Sequence, residues 1–446
     1  MDPLVIVSRA VDLARKNGAR GVEALLVQDV RLSLSGLDAP TAVTQQKSNL
    51  SIELTLFREG GRVAKRLLKP NSLEAIPGLL PDVILATLEA ASNAPEDPLA
   101  GPCEPLDVTP SGLGLYDRRH AYIDMEARLN ILSENTRACT KIDPRIRVEG
   151  VTYTEHEQQR TLATSRGLTL HEHSTRFQAT CEARIEGNDT VLCHGVESRQ
   201  FAHVASLPLG AQLAHQLLRM SKQATLPAAD LPCVISGPVL CQILRSLSDA
   251  FVAETVRNGR SFLSTQSDQP IANELLHVVD DPTAPGGLYS RVFDDRGVIP
   301  VPVVLIKEGR PTAMLYDLTT ARIDDVRPTG HKLQGVTAPS NLTIRPGTRS
   351  RNAMHMALEN YLAIERLHGF NPMRTRGLVS PKTGRIRCAA DVTVFQDREA
   401  IGTAIVNLNL HVRDLLNPII EIAGDQSRSC GVDGCSVLLE RFPGQG

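Results

Sequence analysis

Residues 146–201, IRVEGVTYTEHEQQRTLATSRGLTLHEHSTRFQATCEARIEGNDTVLCHGVESRQF, decide the fold of the first half of this chain. Apolar and polar residues alternate in successive runs, which is the pattern of strands that bury one face. Turn residues separate the runs at TSRG (164–167) and EGND (186–189). The stretch therefore predicts several antiparallel strands joined by short turns.

Upstream segments extend this sheet and place helices on it. Residues 51–68, SIELTLFREGGRVAKRLL, alternate in the same way and turn at Gly60 and Gly61, which is typical of a hairpin. Helical spacing occurs in residues 3–17, 71–95 and 122–144, the last ending at Asp143-Pro144. We therefore predict an α+β fold in which helices flank an N-terminal antiparallel sheet, within a domain covering residues 1–225.

The second half of the chain begins at a proline-bearing linker, SKQATLPAADLPCVISG (221–237). A single long helix is predicted over residues 236–259, with Ser236 as its N-cap and Gly259 after its last turn. Its predicted buried stripe comprises Leu240, Ile243, Leu244, Leu247 and Phe251. Hairpins are predicted at 301–317 and 391–410 and another helix at 350–369. Residues 226–446 should thus form a β-rich domain with few helices.

Charge and composition restrict the classes of partner and compartment. The 48 basic and 50 acidic residues form no block of like charge, so we expect neither a nucleic-acid surface nor a membrane surface. We expect no secretory leader in the first residues and no segment that approaches the roughly 18 apolar residues of a membrane span. The nine cysteines are an odd number in a large chain, which indicates reduced thiols and a cytoplasmic protein.

Three groups of residues have the chemistry of metal ligands. His171 and His173 are two apart in a predicted strand and share one face, although a polar stripe on a half-buried strand explains them more simply. The four carboxylates Asp280, Asp281, Asp294 and Asp295 could hold Ca²⁺ or Mg²⁺, but their Asp-Pro and Gly-Gly neighbours favour turns whose carboxylates cap backbone amides.

The third group is SCGVDGC (429–435), in which Cys430 and Cys435 flank two glycines. A structural zinc site needs about four ligands and this stretch offers two, so a glycine-rich turn before the terminal strand is favoured. We also expect no disulfide between these two cysteines. The sequence contains no Gly-x-Ser-x-Gly nucleophile motif and no glycine-rich phosphate loop.

Several segments together resemble the TldD/TldE (PmbA) family. That family is described as modulators of DNA gyrase and as subunits of a heterodimeric zinc metalloprotease. The matching segments are AETVRNGRSFL (253–263), VVDDPTAPGGLYSRVFDDRGVIPVPVVLIKEGRPTAMLYD (278–317), PSNLTIRPGT (339–348) and SCGVDGCSVLL (429–439). The resemblance extends over nearly the whole chain and is strongest from Cys233 to Asp325.

The resemblance also implies where a metal site would lie. In the TldD subunit, a helix carries a His-Glu-x-x-x-His motif, whose histidines bind zinc with a C-terminal cysteine and whose glutamate is the general base. Alignment through RNGRS places that motif on LRSLSD, so Leu244 and Asp249 take the histidine positions and Arg245 the glutamate position. Cys430 takes the position of the zinc-binding cysteine and is a weak candidate ligand.

The chain is therefore expected to be a TldE-like subunit with no catalytic residue and no cofactor of its own, paired with a TldD-like subunit that holds the zinc. The resemblance implies a shared cavity in which an unfolded or precursor peptide is cut. Residues expected to line the cavity or contact substrate are Asp249, Arg257, Arg260, Asp294 and Asp295. Two alternatives remain open: a pair recruited to modify a small molecule such as a natural product, and a non-enzymatic binding module such as a gyrase modulator.

Overall fold

The first half of the chain folds around one six-stranded antiparallel sheet, here called the N-terminal sheet. The computed structural model describes residues 1–105, 110–228, 230–265, 269–369, 378–429 and 431–444. The strands of the N-terminal sheet are β1 (Gly21–Gly36), β2 (Val43–Phe57), β3 (Val63–Leu68), β4 (Ile146–Thr164), β5 (Thr169–Ile185) and β6 (Leu192–Ser198). Their order is β3-β2-β1-β4-β5-β6, so the predicted hairpin at 51–68 and the strands of 146–201 are confirmed.

The described residues of the same half form the α-helices α1 (Pro3–Lys16), α2 (Ile76–Ser92), α3 (Met125–Ile142), α4 (Phe201–Ser206) and α5 (Leu209–Met220). Buried residues of α1 and α2 pack with the β1–β2 end of the sheet, and those of α3, α4 and α5 pack with Tyr153 and Phe177. Helix α3 ends before Asp143-Pro144, as predicted. The alternation of the long strands thus directs one face of the sheet toward two groups of helices.

Helix α2 corrects one expectation. Among the described residues, the segment Leu73–Ser92 is long and apolar enough to cross a membrane by length and composition, which the sequence was not expected to contain. Its residues Ile76, Leu80, Ile84 and Leu88 are buried in the core against the N-terminal sheet. Because the core helix of a folded domain meets the same criteria, this single helix is weak evidence for a membrane segment.

The second half of the chain is rich in strands, as predicted. One six-stranded sheet, the C-terminal sheet, has the order β16-β15-β14-β7-β20-β17, and another, the small sheet, has the order β10-β9-β8-β13-β19-β18. The strands are β7 (Cys233–Ile235), β8 (Val278–Asp280), β9 (Val303–Lys307), β10 (Arg310–Pro311), β11 (Lys332–Leu333), β12 (Val336–Thr337), β13 (Leu342–Ile344), β14 (Tyr361–Leu367), β15 (Arg385–Gln396), β16 (Glu399–His411), β17 (Ile419–Ile422), β18 (Ser427–Ser429), β19 (Val432–Gly434) and β20 (Val437–Leu439). The α+β fold with a β-rich second half is confirmed.

Short helices connect these strands: α6 (Gly237–Leu247), α7 (Ala253–Arg257), α8 (Leu318–Ile323), α9 (Arg351–Met356) and α10 (Val412–Leu416). The prediction of one helix over 236–259 was wrong, because a 3₁₀ turn over Ser248–Phe251 and the extended residue Val252 separate α6 from α7. The prediction of a helix over 350–369 was also wrong. Only α9 is helical there, and the rest forms β14, whose apolar residues pair with β15 and β7.

Helix α6 lies in the core between the two sheets of the second half. The predicted stripe of Leu240, Ile243, Leu244, Leu247 and Phe251 is buried, but so are Cys241, Arg245 and Ser246 on the other sides. A helix that is buried all round has packing partners on every face. Its position therefore fixes the geometry of the residues around it.

Candidate functional site

The candidate site is the contact between α6 and the β18–β19 hairpin, which brings the two segments named by the resemblance together. The Cys241 thiol donates to the Val432 carbonyl at 3.4 Å, and the backbone N–H of Gly237 donates to Ser436 Oγ at 3.1 Å. Gly434 lies directly against Cys241, and a Cβ atom added there would clash with its Sγ. This close approach requires glycine, which explains one glycine of the SCGVDGC segment.

Leu244 and Arg245 occupy the two adjacent motif positions on α6. Leu244 is 2% exposed and belongs to the main apolar core of the second half. Arg245 is 7% exposed, and its Nη1 donates to the carbonyls of Pro339 at 2.8 Å and Ser340 at 3.2 Å. The guanidinium carbon also lies 5.0 Å from the ring centroid of Tyr289. The Arg245 guanidinium thus holds α6 against residues 339–340 and against Tyr289.

Tyr289 extends this arrangement to the N-terminal sheet. The guanidinium carbon of Arg176, on β5, lies 4.7 Å from the same ring centroid. The backbone N–H of Tyr289 donates to Asn341 Oδ1 at 3.0 Å. Tyr289 therefore contacts α6 and the first half of the chain through its ring, and Asn341 through its backbone N–H group. Sequence patterns gave no signal for Tyr289 or Arg176, since both act through contacts distant in the chain.

The remaining motif and cavity candidates contact different parts of the molecule. Asp249 is half-buried in the 3₁₀ turn after α6. Arg257 ends α7 and forms an ion pair with Asp324, and Arg260 is exposed. Cys430 lies outside the described residues.

Asp294 and Asp295 lie together in a turn that meets the N-terminal sheet. Asp294 is fully buried, and its Oδ1 accepts hydrogen bonds from the backbone N–H groups of Arg296 at 2.8 Å and Val298 at 3.0 Å. Burial raises the pKa of Asp294 to about 6, although these two hydrogen bonds oppose the shift. Asp295 accepts from Arg160 Nη2 at 3.0 Å. Both carboxylates thus hold the turn and its contact with β4.

Asp280 and Asp281 have the same structural role. Asp281 Oδ1 accepts from the backbone N–H of Thr283 at 2.7 Å. Asp280 is buried and accepts from the backbone N–H of Ser340 at 2.9 Å and from Ser340 Oγ at 2.5 Å, and His331 Nε2 lies 3.4 Å away. Burial raises the pKa of Asp280, but His331 and Ser340 outweigh that effect and the pKa lies below its ordinary value. Asp281 thus caps its own turn, as the turn-capping interpretation predicts, whereas Asp280 holds the distant segment at Ser340.

His171 and His173 have separate partners on β4. His171 Nδ1 lies 3.0 Å from Thr161 Oγ1, and His173 Nε2 lies 2.7 Å from Glu157 Oε1. Tyr116 stacks on the His173 ring with centroids 3.9 Å apart. Within the described ranges, no group of three or more His, Cys, Asp or Glu side chains is placed to hold a metal ion.

The thiol of Cys435, the second cysteine of SCGVDGC, is free and buried. Burial raises its pKa to about 11, so the thiol stays protonated near neutral pH. Cys435 belongs to the main apolar core of the second half.

A cavity of about 450 Å³ lies apart from α6, where the 220–226 linker meets the C-terminal sheet. One wall carries His368, whose Nε2 lies 2.7 Å from Asp391 Oδ1. Thr403 of β16 also lines the cavity. This pair was not predicted, because His368 and Asp391 are joined only by the pairing of β14 with β15.

Comparison with known proteins identifies the family. The model of the PmbA/TldA metallopeptidase central domain matches residues 119–220, and that of the C-terminal domain matches residues 228–446. The chain belongs to the PmbA/TldD family. These two matches include α6, the 278–317 segment and the β18–β19 hairpin, so the segments that carried the resemblance lie inside the matched regions.

Curated relatives of this PmbA/TldD protein are distant. Metalloprotease PmbA of Escherichia coli O157:H7 is 22% identical over 331 residues, which cover 73% of this chain and 72% of that protein. A metalloprotease of Methanocaldococcus jannaschii is 26% identical over 239 residues, or 50% of this chain and 52% of the relative. The chain thus spans about half the length of that archaeal relative.

Solved structures share the fold almost end to end. A Thermotoga maritima protein described as a candidate modulator of a DNA gyrase superposes with a TM-score of 0.85 at 19% identity, covering 98% of each chain. TldE from Thermococcus kodakarensis superposes with a TM-score of 0.84 at 15% identity, covering 98% of this chain and 99% of TldE. At these identities the similarity establishes the fold of the two halves and nothing finer.

Proposed function

We propose that this chain is the non-zinc, TldE-like subunit of a TldD/TldE-type heterodimer that cleaves unfolded or precursor peptides. The observation that carries the proposal is Arg245, a buried cation with three structural contacts at the position where the resemblance expects a general base. A guanidinium has no acceptor atom and does not lose its proton near neutral pH. Arg245 therefore cannot activate a water molecule.

The residues at the neighbouring positions do not fit zinc either. Leu244 offers no ligand atom and is enclosed by core side chains, and Asp249 supplies one carboxylate. Zinc in proteins is bound by three or four side chains. The zinc of the pair is accordingly assigned to the TldD-like partner, and no step of the reaction is assigned to a metal in this chain.

The contribution of this chain is to shape the cavity and position the substrate. Arg245, Tyr289 and Arg176 join α6 to the N-terminal sheet, and Asp280 with Ser340 fixes the adjacent segment. A wall held by buried charge-assisted contacts keeps its geometry when a peptide binds. Holding a peptide in one orientation accelerates its cleavage by a neighbouring subunit without a proton transfer from this one.

The test is reconstitution with the family member from the same genome that carries the His-Glu-x-x-x-His motif. Each chain is purified alone under reducing conditions, and its zinc content is measured by elemental mass spectrometry. We expect stoichiometric zinc in the partner only, and cleavage of an unfolded casein by the mixture but by neither chain alone. The matched control is the mixture in which the motif glutamate of the partner is replaced by glutamine.

Each other outcome points to a different function. Stoichiometric zinc in this chain contradicts the subunit assignment. A zinc-loaded pair that leaves casein intact favours small-molecule modification. Co-purification with gyrase, without a metalloprotease partner, favours a binding module. The Cys430→Ser variant of this chain should leave casein cleavage by the pair unchanged, because one thiol without histidines does not make a zinc site.

A further inference from the structure

Strand β2 has an open edge along more than half of its length. It pairs with β1 over its whole length from Val43 to Phe57, whereas β3 covers its outer side only from Ile52 to Phe57. No described strand pairs with the outer side of residues 43–51. In an antiparallel strand every second residue directs its N–H and C=O groups outward, so roughly four residues here present both groups. We call residues 43–51 the β2 edge.

Apart from Lys47, the β2 edge lacks the usual protection against pairing with another chain. Its sequence, VTQQKSNLS, contains one charged residue and no proline, and its pairing with β1 runs through without a bulge. Residues 43–49 are exposed on both faces of the sheet. Long, regular edges of this kind are templates for an added strand.

Two other edges among the described strands carry such protection. The outer strand β3 carries Lys65 and Arg66, and Lys65 pairs with Glu53 at 2.7 Å. The outer strand β16 is bridged by the linker, since Thr403 N–H donates to the Lys222 carbonyl at 2.8 Å and Ala224 N–H donates to the Thr403 carbonyl at 3.1 Å. The chain thus covers part of one edge with its own linker but leaves the β2 edge bare.

We propose that the β2 edge pairs with an edge strand of the TldD-like partner, so that the N-terminal sheet continues across the heterodimer. This inference rests on the proposed function. Three solved structures superpose on this fold over 97–99% of their own chains. We therefore expect a partner from the family to offer an equivalent strand. Antiparallel pairing of two equivalent edges is the arrangement that a two-fold axis produces.

Charge favours a different chain over a second copy as the occupant. Lys47 lies at the centre of the β2 edge, so the full-length antiparallel pairing of two copies would place Lys47 opposite its own counterpart. Like charges directly opposite each other destabilise a strand pair. A partner with a neutral or acidic residue at that position removes the repulsion. The remaining side chains of the edge are uncharged and impose no such restriction.

Hydrogen exchange measured residue by residue tests the pairing in the unmodified proteins. On addition of the motif-bearing partner, alternate amides of residues 43–51 should exchange at least tenfold more slowly, whereas amides of Ile52–Phe57 should change little because β3 already covers that part. A complex that forms without slowing these amides overturns the inference alone. Absence of any complex overturns the inference together with the proposed function.

Two further outcomes identify other occupants and would also overturn the inference. Concentration-dependent protection of the β2 edge in the isolated chain indicates a second copy. Protection by unfolded casein in the absence of the partner indicates a peptide strand. Each measurement uses the full chain at the same pH and salt concentration.

Proline substitutions give an independent test. Gln46→Pro and Lys47→Pro each remove one backbone N–H group, and these two adjacent groups point to opposite sides of the strand. One variant therefore blocks hydrogen bonding at the outer edge, and the other breaks a hydrogen bond with β1. Thermal unfolding identifies the variant that keeps its stability. For that variant we expect the Kd for the partner to rise at least tenfold, whereas Gln46→Ala and Lys47→Ala keep their N–H groups and should change it less than threefold. An unchanged Kd in the stable proline variant contradicts the pairing.

Discussion

Leu244 and Arg245 are both buried, although the sequence predicted burial only for Leu244. The apolar stripe of α6 predicted a buried Leu244, and the structure adds that the helix is buried on its other faces too. Arg245 is consequently a buried cation whose hydrogen bonds go to backbone carbonyls. Side chains in such positions affect stability through specific, named contacts.

Replacing Leu244 with aspartate should lower the free energy of unfolding by about 3 kcal/mol or more, because it places an unpaired carboxylate in the apolar core. Urea unfolding followed by circular dichroism measures the change. Leu244→Met, which nearly conserves the volume, is the control and should cost less than about 1.5 kcal/mol. Equal stability of wild type and Leu244→Asp would mean that this face of α6 does not contact the core.

Asp294 should make stability dependent on pH. Burial raises its pKa from 3.8 to about 6, so the folded protein keeps the proton to higher pH than the unfolded chain. The stability that this group contributes is therefore present below about pH 4 and is lost as the pH rises through 6. Relative to wild type, Asp294→Asn should gain on the order of 2 kcal/mol between pH 4.5 and pH 7.5. Parallel stability curves for the two proteins would contradict the assignment.

At the scale of elements, the contact between α6 and the β18–β19 hairpin depends on small residues. Gly237 begins the helix against Ser427 and the segment around Cys435, and Gly434 lies against Cys241. The hairpin also closes through the ion pair of Arg428 with Asp433 at 2.6 Å. These contacts place the C-terminal segment beside the helix.

Gly434→Ala should destabilise the protein by about 1–3 kcal/mol, because its Cβ would overlap Cys241 Sγ. In a Cys241→Ala background the same substitution should cost less, since the sulfur is gone and the alanine methyl takes part of its space. Differential scanning calorimetry of the four proteins gives the interaction energy of the pair. Strictly additive effects would show that the two positions do not touch.

At the scale of the whole molecule, buried arginines fasten the two halves together. Arg199, next to β6, donates to the carbonyls of Gly287, Leu288 and Ser290, and burial lowers its pKa to about 10. Arg160 on β4 donates to the Phe293 carbonyl at 3.0 Å and to Asp295. Apolar residues of β4 and β5 also pack against Phe293 and Ile299. The second face of the N-terminal sheet is thus partly an interface within the chain.

Arg160→Met should weaken this interface strongly. Arg160 is 3% exposed, and its loss would leave Glu172 and Asp295 without their cation, which typically costs 3–5 kcal/mol for a buried pair. We expect a lower unfolding midpoint and faster limited proteolysis between the two halves. The control is Arg184→Met, whose partner Glu149 is similarly close but exposed, and it should cost less than about 1 kcal/mol. Equal effects of both substitutions would contradict the role of Arg160.

The sequence by itself determined the elements whose pattern is local. Alternation in 146–201 and 51–68 predicted long antiparallel strands, and the hairpins at 301–317 and 391–410 followed from their turns. It failed where tertiary contacts overrode a helical pattern, as in β14, whose residues 361–367 gain strand partners on both sides. The segments 253–263, 278–317, 339–348 and 429–439 together indicated the PmbA/TldD family.

Only the tertiary structure decided what the singled-out residues do. That Asp294 and Asp295 line a cavity stays a prediction, but only the structure shows that backbone N–H groups and Arg160 from β4 hold them in a turn between the two halves. Tyr289, Arg176 and His331 have no sequence signal, because their partners lie far away along the chain. Local periodicity is encoded by neighbouring residues, whereas burial, charge pairing and an uncovered strand edge exist only after distant segments meet.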